Sequence, residues 1–201
     1  MRSPVRTVSI ALLLAAGLAQ ASTLNVVVTD EAGQPLPNAV VILDPAGAKL
    51  PVKPMAQVDV SQAKRQFNPQ LTVVTVGTPV NFPNFDTVRH HVYSFSPIKT
   101  FELKLYAGVP AAPIVFDKPG AAVLGCNIHD QMAAWVVVVD TPYFARTAAN
   151  GQAKIEGIAP GSYRLRGWHA GVPEGKAPAP QPLTVGAGDL AATLRLPATA
   201  P

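Results

Sequence analysis

Proline decides most of what this chain can fold into. Its 21 prolines in 201 residues are about twice the ~5% usual in globular proteins, and they fall along the whole sequence. A proline inside a helix removes one hydrogen bond and collides with the preceding turn. Long helices are therefore excluded over most of the chain. Between the prolines and glycines lie short runs rich in Val, Ile, Thr and aromatic residues, which suit a pleated, half-buried surface. No amphipathic stretch of ten or more residues with helical spacing follows the N-terminal segment. The expectation is an all-β protein.

Individual strands can be placed. Leu24–Val28 and Ala39–Leu43 flank the turn-rich connection Thr29–Pro37, which predicts a hairpin. Residues Asp44–Pro54 read as a proline-rich linker. Further strands are expected at Ala56–Val60, Leu71–Val76, Pro79–Phe82, His91–Phe95, Thr100–Tyr106, Ile114–Phe116, Ala121–Gly125 and Ala134–Val139. The C-terminal part adds Gln152–Ile155, Ser162–Gly167, Leu183–Val185 and Ala191–Leu196. Short strands at this spacing predict a β-sandwich. Pro197–Pro201 reads as a frayed tail.

The 48% hydrophobic content excludes wholesale disorder, and the length suffices for a buried core. Arg2 and Arg6 precede an apolar run from Val8 to Leu18, closed by the small-x-small site Ala19-Gln20-Ala21. That run is shorter than the ~20 residues needed to span a bilayer. It predicts a Sec signal peptide, residues 1–21, cut after Ala21. The mature chain is then expected to be soluble, periplasmic or secreted, with no membrane span. Cleavage removes two arginines and no acid, so the formal charge falls from +4 to +2. With no basic run, nothing suggests a nucleic-acid partner.

A single cysteine cannot form an intramolecular disulfide, so an exported chain must have another use for it. Cys126 opens the run Cys126-Asn127-Ile128-His129-Asp130-Gln131-Met132, which puts three candidate metal ligands within seven residues. The pair His90-His91 lies upstream at the start of a strand, and only one other histidine exists, His169. Thiolate and thioether sulfur stabilise Cu(I), imidazole serves either oxidation state, and the combination is that of copper. A cysteine ending one strand, with His and Met on the loop to the next, converges three side chains on one point. Gly125 lets the backbone approach closely there. Strand alternation allows one of His90 and His91 to face the same point. Taken singly, Cys126 and Met132 also suit core packing, and His129 suits an ordinary loop. His169 reads as structural, Met55 as packing, and Trp135, Tyr93, Phe95 and Phe101 as sandwich core. Asp86, Asp117 and Asp130 lack the paired spacing of general acid–base catalysis.

Two resemblances emerge from these residues. Leu24–Leu43, with Val28, Asp30, Gly33, Pro35-Leu36, Ala39 and Val41, resembles the opening of carboxypeptidase regulatory-like domains, which are small β-sandwiches. The continuation of that pattern stands only at Asn150-Gly151 through Pro160-Gly161-Ser162-Tyr163-Arg164-Leu165. The segment 55–140 resembles the cupredoxins. Phe67-Asn68-Pro69, Val76-Gly77-Thr78-Pro79-Val80-Asn81-Phe82 and Asn84-Phe85-Asp86 match their early strands. His90-His91-Val92 matches the step that begins with a ligating histidine, and Cys126-x2-His129-x2-Met132 is similar to the compact loop of amicyanin-like members. The whole chain is also similar to periplasmic proteins labelled methylamine utilization protein, which join such a domain to a regulatory-like sandwich.

These resemblances imply a cupredoxin-like Greek-key β-sandwich, 55–140, inserted in or joined to a smaller regulatory-like sandwich formed by 22–54 and 141–197, with a tail at 198–201. They imply one type 1 copper ion held by His90, Cys126, His129 and Met132, with His91 exposed or bracing the loop. Two positions depart from the pattern: His91 stands where many members have Asn, and Asp130 where amicyanins have Pro. The implied protein is a monomer and no enzyme, and it carries single electrons to and from a transient redox partner, a dehydrogenase or a cytochrome c-like protein. Ile128 and Ala133 are candidates for its docking patch. A copper carrier or store, or a β-sandwich module that binds no metal, would use the same fold. A cysteine hydrolase is disfavoured, because Cys126 and His129 share a loop and no oxyanion hole is evident.

Overall fold

The computed structural model describes residues 21–199. The segment read as a signal peptide lies, except for Ala21, outside these residues, as do the last two residues of the expected tail. The described chain is all-β: β1 (Ser22–Thr29), β2 (Val40–Pro45), β3 (Val58–Asp59), β4 (Ser61–Ala63), β5 (Gln66–Asn68), β6 (Leu71–Thr75), β7 (Thr78–Asn81), β8 (His90–Ser96), β9 (Lys99–Tyr106), β10 (Ile114–Phe116), β11 (Gly120–Gly125), β12 (Ala133–Val139), β13 (Phe144–Arg146), β14 (Gln152–Ile158), β15 (Gly161–Trp168), β16 (Gln181–Val185) and β17 (Leu190–Arg195). Among the described residues no helix is long and apolar enough to cross a membrane.

Strands from the two ends of the chain share one core. β1 lies between β14, antiparallel, and β17, parallel. β2 lies between β13 and β15, with β16 at the far edge. The expected hairpin between the first two strands is therefore not formed. Each already has both edges paired, and they face one another across the core through Leu24, Val26 and Val28 on one side and Val41 and Leu43 on the other. The connection crosses between the sheets instead, turned by Gly33 and Asn38 at positive φ. At the opposite wall Gly151 (φ 72) comes so close to β1 that a Cβ would sit 2.5 Å from the Val28 carbonyl oxygen. Only glycine fits there.

The middle of the chain builds a second pair of sheets, ordered β6-β12-β11-β8-β9 and β10-β7-β3. Val74, Val80, Phe82, Phe116, Leu124 and Val136 fill the space between them. The two sandwiches meet face to face. Along β12, Ala134, Val136 and Val138 enter the second core, while Val137 and Val139 point the other way and pack against Val40 and Ile42 of β2. Both strands are buried on both faces, so each reads as an unbroken apolar run rather than an alternating one.

Observed strand limits lie within a few residues of those expected. β4 and β13 are not among the expected strands: Ser61-Gln62-Ala63 and Phe144-Ala145-Arg146 are too short to show a period. Phe95, expected in the core, is 73% exposed: its β8 neighbours Val92 and Ser94 take the inward positions. The tail is not frayed at Thr199, whose amide donates to the Gly171 carbonyl at 3.0 Å.

Candidate metal centre

Three elements bring the site together. β8 opens at His90, and β11 ends at Gly125, which pairs with Tyr93 of β8. Cys126 follows directly, and its loop is held by short backbone bonds. The His129 amide donates to the Cys126 carbonyl at 3.4 Å, and the Met132 amide donates to the His129 carbonyl at 2.9 Å. At Gly125 a Cβ would lie 2.6 Å from Cζ of Tyr93, so the missing side chain is what lets the phenol ring rest beside the cysteine.

His90, Cys126 and His129 each offer a ligand atom, and these atoms lie within 4.8 Å of one another. His90 is fully buried; its Nδ1 is 3.7 Å from Cys126 Sγ and its Nε2 is 2.7 Å from a carboxylate oxygen of Asp86. A carboxylate can only accept, so the proton sits on Nε2 and the Nδ1 lone pair faces the sulfur. Cys126 is 3% exposed. His129 is half-buried, and its Nδ1 is buried with no hydrogen-bond partner. Met132 is buried in the same core as Cys126.

Asp86, which has no acidic partner in the sequence, stands directly behind His90 in the fold. Its carboxylate receives three donors: His90 Nε2, the Lys64 amide at 2.6 Å and the Arg65 amide at 2.9 Å. Lys64 and Arg65 both have positive φ, so two consecutive N–H groups converge on the acid. Burial opposes ionisation of Asp86, but the Arg65 amide, the His90 ring and the Lys64 amide outweigh it and hold the carboxyl below its ordinary 3.8. The four-residue step from Asp86 to His90 was the one available signal. The two amides lie more than twenty residues upstream and gave none.

His91 stays outside the cluster. It is buried rather than exposed, with Nε2 3.0 Å from Glu102 on β9, a close approach without hydrogen-bond alignment, and its ring stands edge-on to Tyr93. His169 lies in the other sandwich, where its Nδ1 accepts from the Gly171 amide at 3.0 Å. Around the cluster, Phe85, Val88 and Ile128 are exposed. They lie on the chain leading into His90 and on the Cys126–Met132 loop, and of the three only Ile128 is marked by the sequence as a docking residue.

Among solved structures, the chain is similar to a reduced Cu(I) form of an amicyanin variant, 22% identical over 43% of this chain and 92% of that one, with a TM-score of 0.38. A purple cupredoxin from Nitrosopumilus maritimus is 22% identical over 42% of this chain and 100% of that one, with a TM-score of 0.37. An oxidised amicyanin variant is 25% identical over 41% and 81% respectively, also at 0.37. No family model and no curated protein matches the chain.

What the site can do follows from its own atoms. A buried polar nitrogen without a partner costs about 1–3 kcal/mol, and a bound metal ion is one partner that would satisfy His129 Nδ1. One sulfur and two imidazole nitrogens within 4.8 Å make a cluster that could hold a metal ion.

Proposed function

We propose that this chain is a blue (type 1) copper protein that carries single electrons between redox partners, with His90, Cys126, His129 and Met132 as ligands to one copper ion. The observation that carries the reading is the convergence of His90, Cys126 and His129, with one buried nitrogen left free. The donor chemistry favours copper over harder ions, since thiolate, imidazole and thioether are its preferred set. Copper bound there would supply a one-electron Cu(II)/Cu(I) couple.

The protein's own residues would do the rest. Asp86 fixes the tautomer and angle of His90 through Nε2. Burial of Cys126 and Met132 keeps water from the sulfur atoms. The half-exposed His129 is the route to the surface, and Phe85, Val88 and Ile128 offer an apolar rim for brief docking of a dehydrogenase or cytochrome c-like protein. In this reading the protein converts no substrate, acts as a monomer and is exported by residues 1–21. Its metal-binding sandwich, 55–140, interrupts a second one formed by 22–54 and 141–197. The pairing of β1 with both β14 and β17 supports that division.

The test is copper reconstitution of the mature chain, with metal analysis and visible and electron paramagnetic resonance spectra beside Cys126→Ser. One copper per chain with intense thiolate-to-copper absorption, lost in the variant, is expected. A colourless stoichiometric adduct would refute the blue site and make the protein a copper carrier. Absence of stoichiometric copper would leave a β-sandwich module that binds no metal.

A further inference from the structure

A cleft of about 220 Å³ opens where the two sandwiches meet, and the metal cluster takes no part in it. Its walls come from strands held in register. Arg146 on β13 and Trp168 on β15 both pair with Val40 of β2, one on each side, so their side chains share one face of that sheet. Two strand spacings separate them, roughly 10 Å, with the buried Val40 between them at the base. From the facing sheet come Trp135 and its cross-strand partner Leu71. Trp135 lies on the face of β12 opposite Ala134 and Val136, so it points away from the core that holds Cys126.

The lining specifies a ligand. Trp135 and Trp168 are the only tryptophans in the chain, and both border this one cleft. Indole faces favour a flat or ring-shaped apolar body. Arg146 is exposed, pairs with no carboxylate among the described residues, and makes only one long contact, 3.5 Å to the Leu71 carbonyl. No acidic residue lines the cleft. An unpaired guanidinium beside stacking surfaces favours an anion, and its planar fork matches a carboxylate. The carboxamides of Asn38 and Gln70 at the rim are free to bind further polar groups. The volume is below the ~300 Å³ at which sites for drug-sized ligands begin, so one ring fills it.

We infer that this cleft binds a small single-ring carboxylate, with the ring against the indoles and the carboxylate on Arg146. The shared chemistry admits an aromatic acid or a sugar acid. Binding needs no metal, so it stands or falls separately from the copper reading.

Intrinsic fluorescence of the metal-free mature chain reports the cleft directly, because no other tryptophan contributes. Titrations with benzoate and with glucuronate distinguish the two sources; benzyl alcohol and methyl glucoside are their uncharged counterparts. A saturable one-site change with at least one acid is expected. It should weaken about tenfold or more in Arg146→Gln and with the uncharged counterpart. In the unaltered protein, added sodium chloride should weaken it as well, a check independent of how the variant folds. The inference is overturned if neither acid saturates. It is equally overturned if the uncharged compounds bind as well as the acids, or if binding ignores both salt and the loss of Arg146.

Discussion

Replacing Asp86 by alanine removes the one acceptor that joins the start of β8 to the Lys64-Arg65 turn. Three hydrogen bonds of 2.6–2.9 Å end on this carboxylate, and its side chain is only 17% exposed. The two backbone amides lie at the surface, where water replaces most of what they lose, about 0.5 kcal/mol each. His90 Nε2 is fully buried, and stranding that donor costs about 1–3 kcal/mol. The expected loss is therefore about 3 kcal/mol for the metal-free protein, or about 6–12 °C in melting temperature for a chain of this size. Urea unfolding of the mature protein and of Asp86→Ala measures it. Asp86→Asn, which keeps one acceptor oxygen, should recover part of the stability; under the proposed copper reading it should still lower copper affinity about 10–100-fold, because the ring of His90 loses its anionic brace. The sign with pH is fixed. The folded carboxyl titrates below 3.8, so its contribution is complete above that value and is lost as the pH falls through the folded value. The gap between wild type and Asp86→Ala should hold from neutral pH to about 4 and close below it. A loss under about 1 kcal/mol, or a gap that does not close in acid, would refute the reasoning.

Three further perturbations probe other parts. Gly125→Ala would place a Cβ 2.6 Å from Tyr93 Cζ and 2.7 Å from its hydroxyl oxygen, forcing the ring to shift by about 1 Å at a cost of about 1–3 kcal/mol; an unchanged melting curve would sink this. Ile42→Ala, at a site 1% exposed between the sandwiches, should cost about 2–5 kcal/mol in urea unfolding, and a value under 1 kcal/mol would mean that the interface contributes little. Burial, only partly offset by the Pro37 carbonyl, holds His169 below its ordinary 6.5 and therefore neutral in the fold. As pH falls from 6.5 toward the folded value, the unfolded chain takes up a proton that the folded chain refuses, so stability declines. His169→Gln should flatten that decline as the pH falls below about 7, and an identical slope in both proteins would contradict it.

The local features of this protein were legible because local chemistry sets them. Strand positions follow from β-branched runs cut by proline and glycine, and Cys126, His129 and Met132 declare themselves through a spacing that one loop must close. Pairing was less legible. Leu24–Val28 and Ala39–Leu43 have the look of a hairpin, yet their edges are taken by strands from the far end of the chain. Nothing local to either run encodes a partner more than 100 residues away.

By itself the sequence determined the all-β class, the run of sulfur and imidazole donors, and the two histidines from which a partner would come. Only the tertiary structure decided that His90 meets Cys126 and His129 while His91 turns toward Glu102. It alone added Asp86 behind His90, and it alone brought Trp135, Trp168 and Arg146 around one cleft. The physical reason is the same in each case. A side chain's type and its step along a strand are set by its neighbours in sequence, but what stands opposite it is set by how sheets stack and which edges pair. Those choices minimise the exposed apolar surface and unpaired backbone of the whole chain at once.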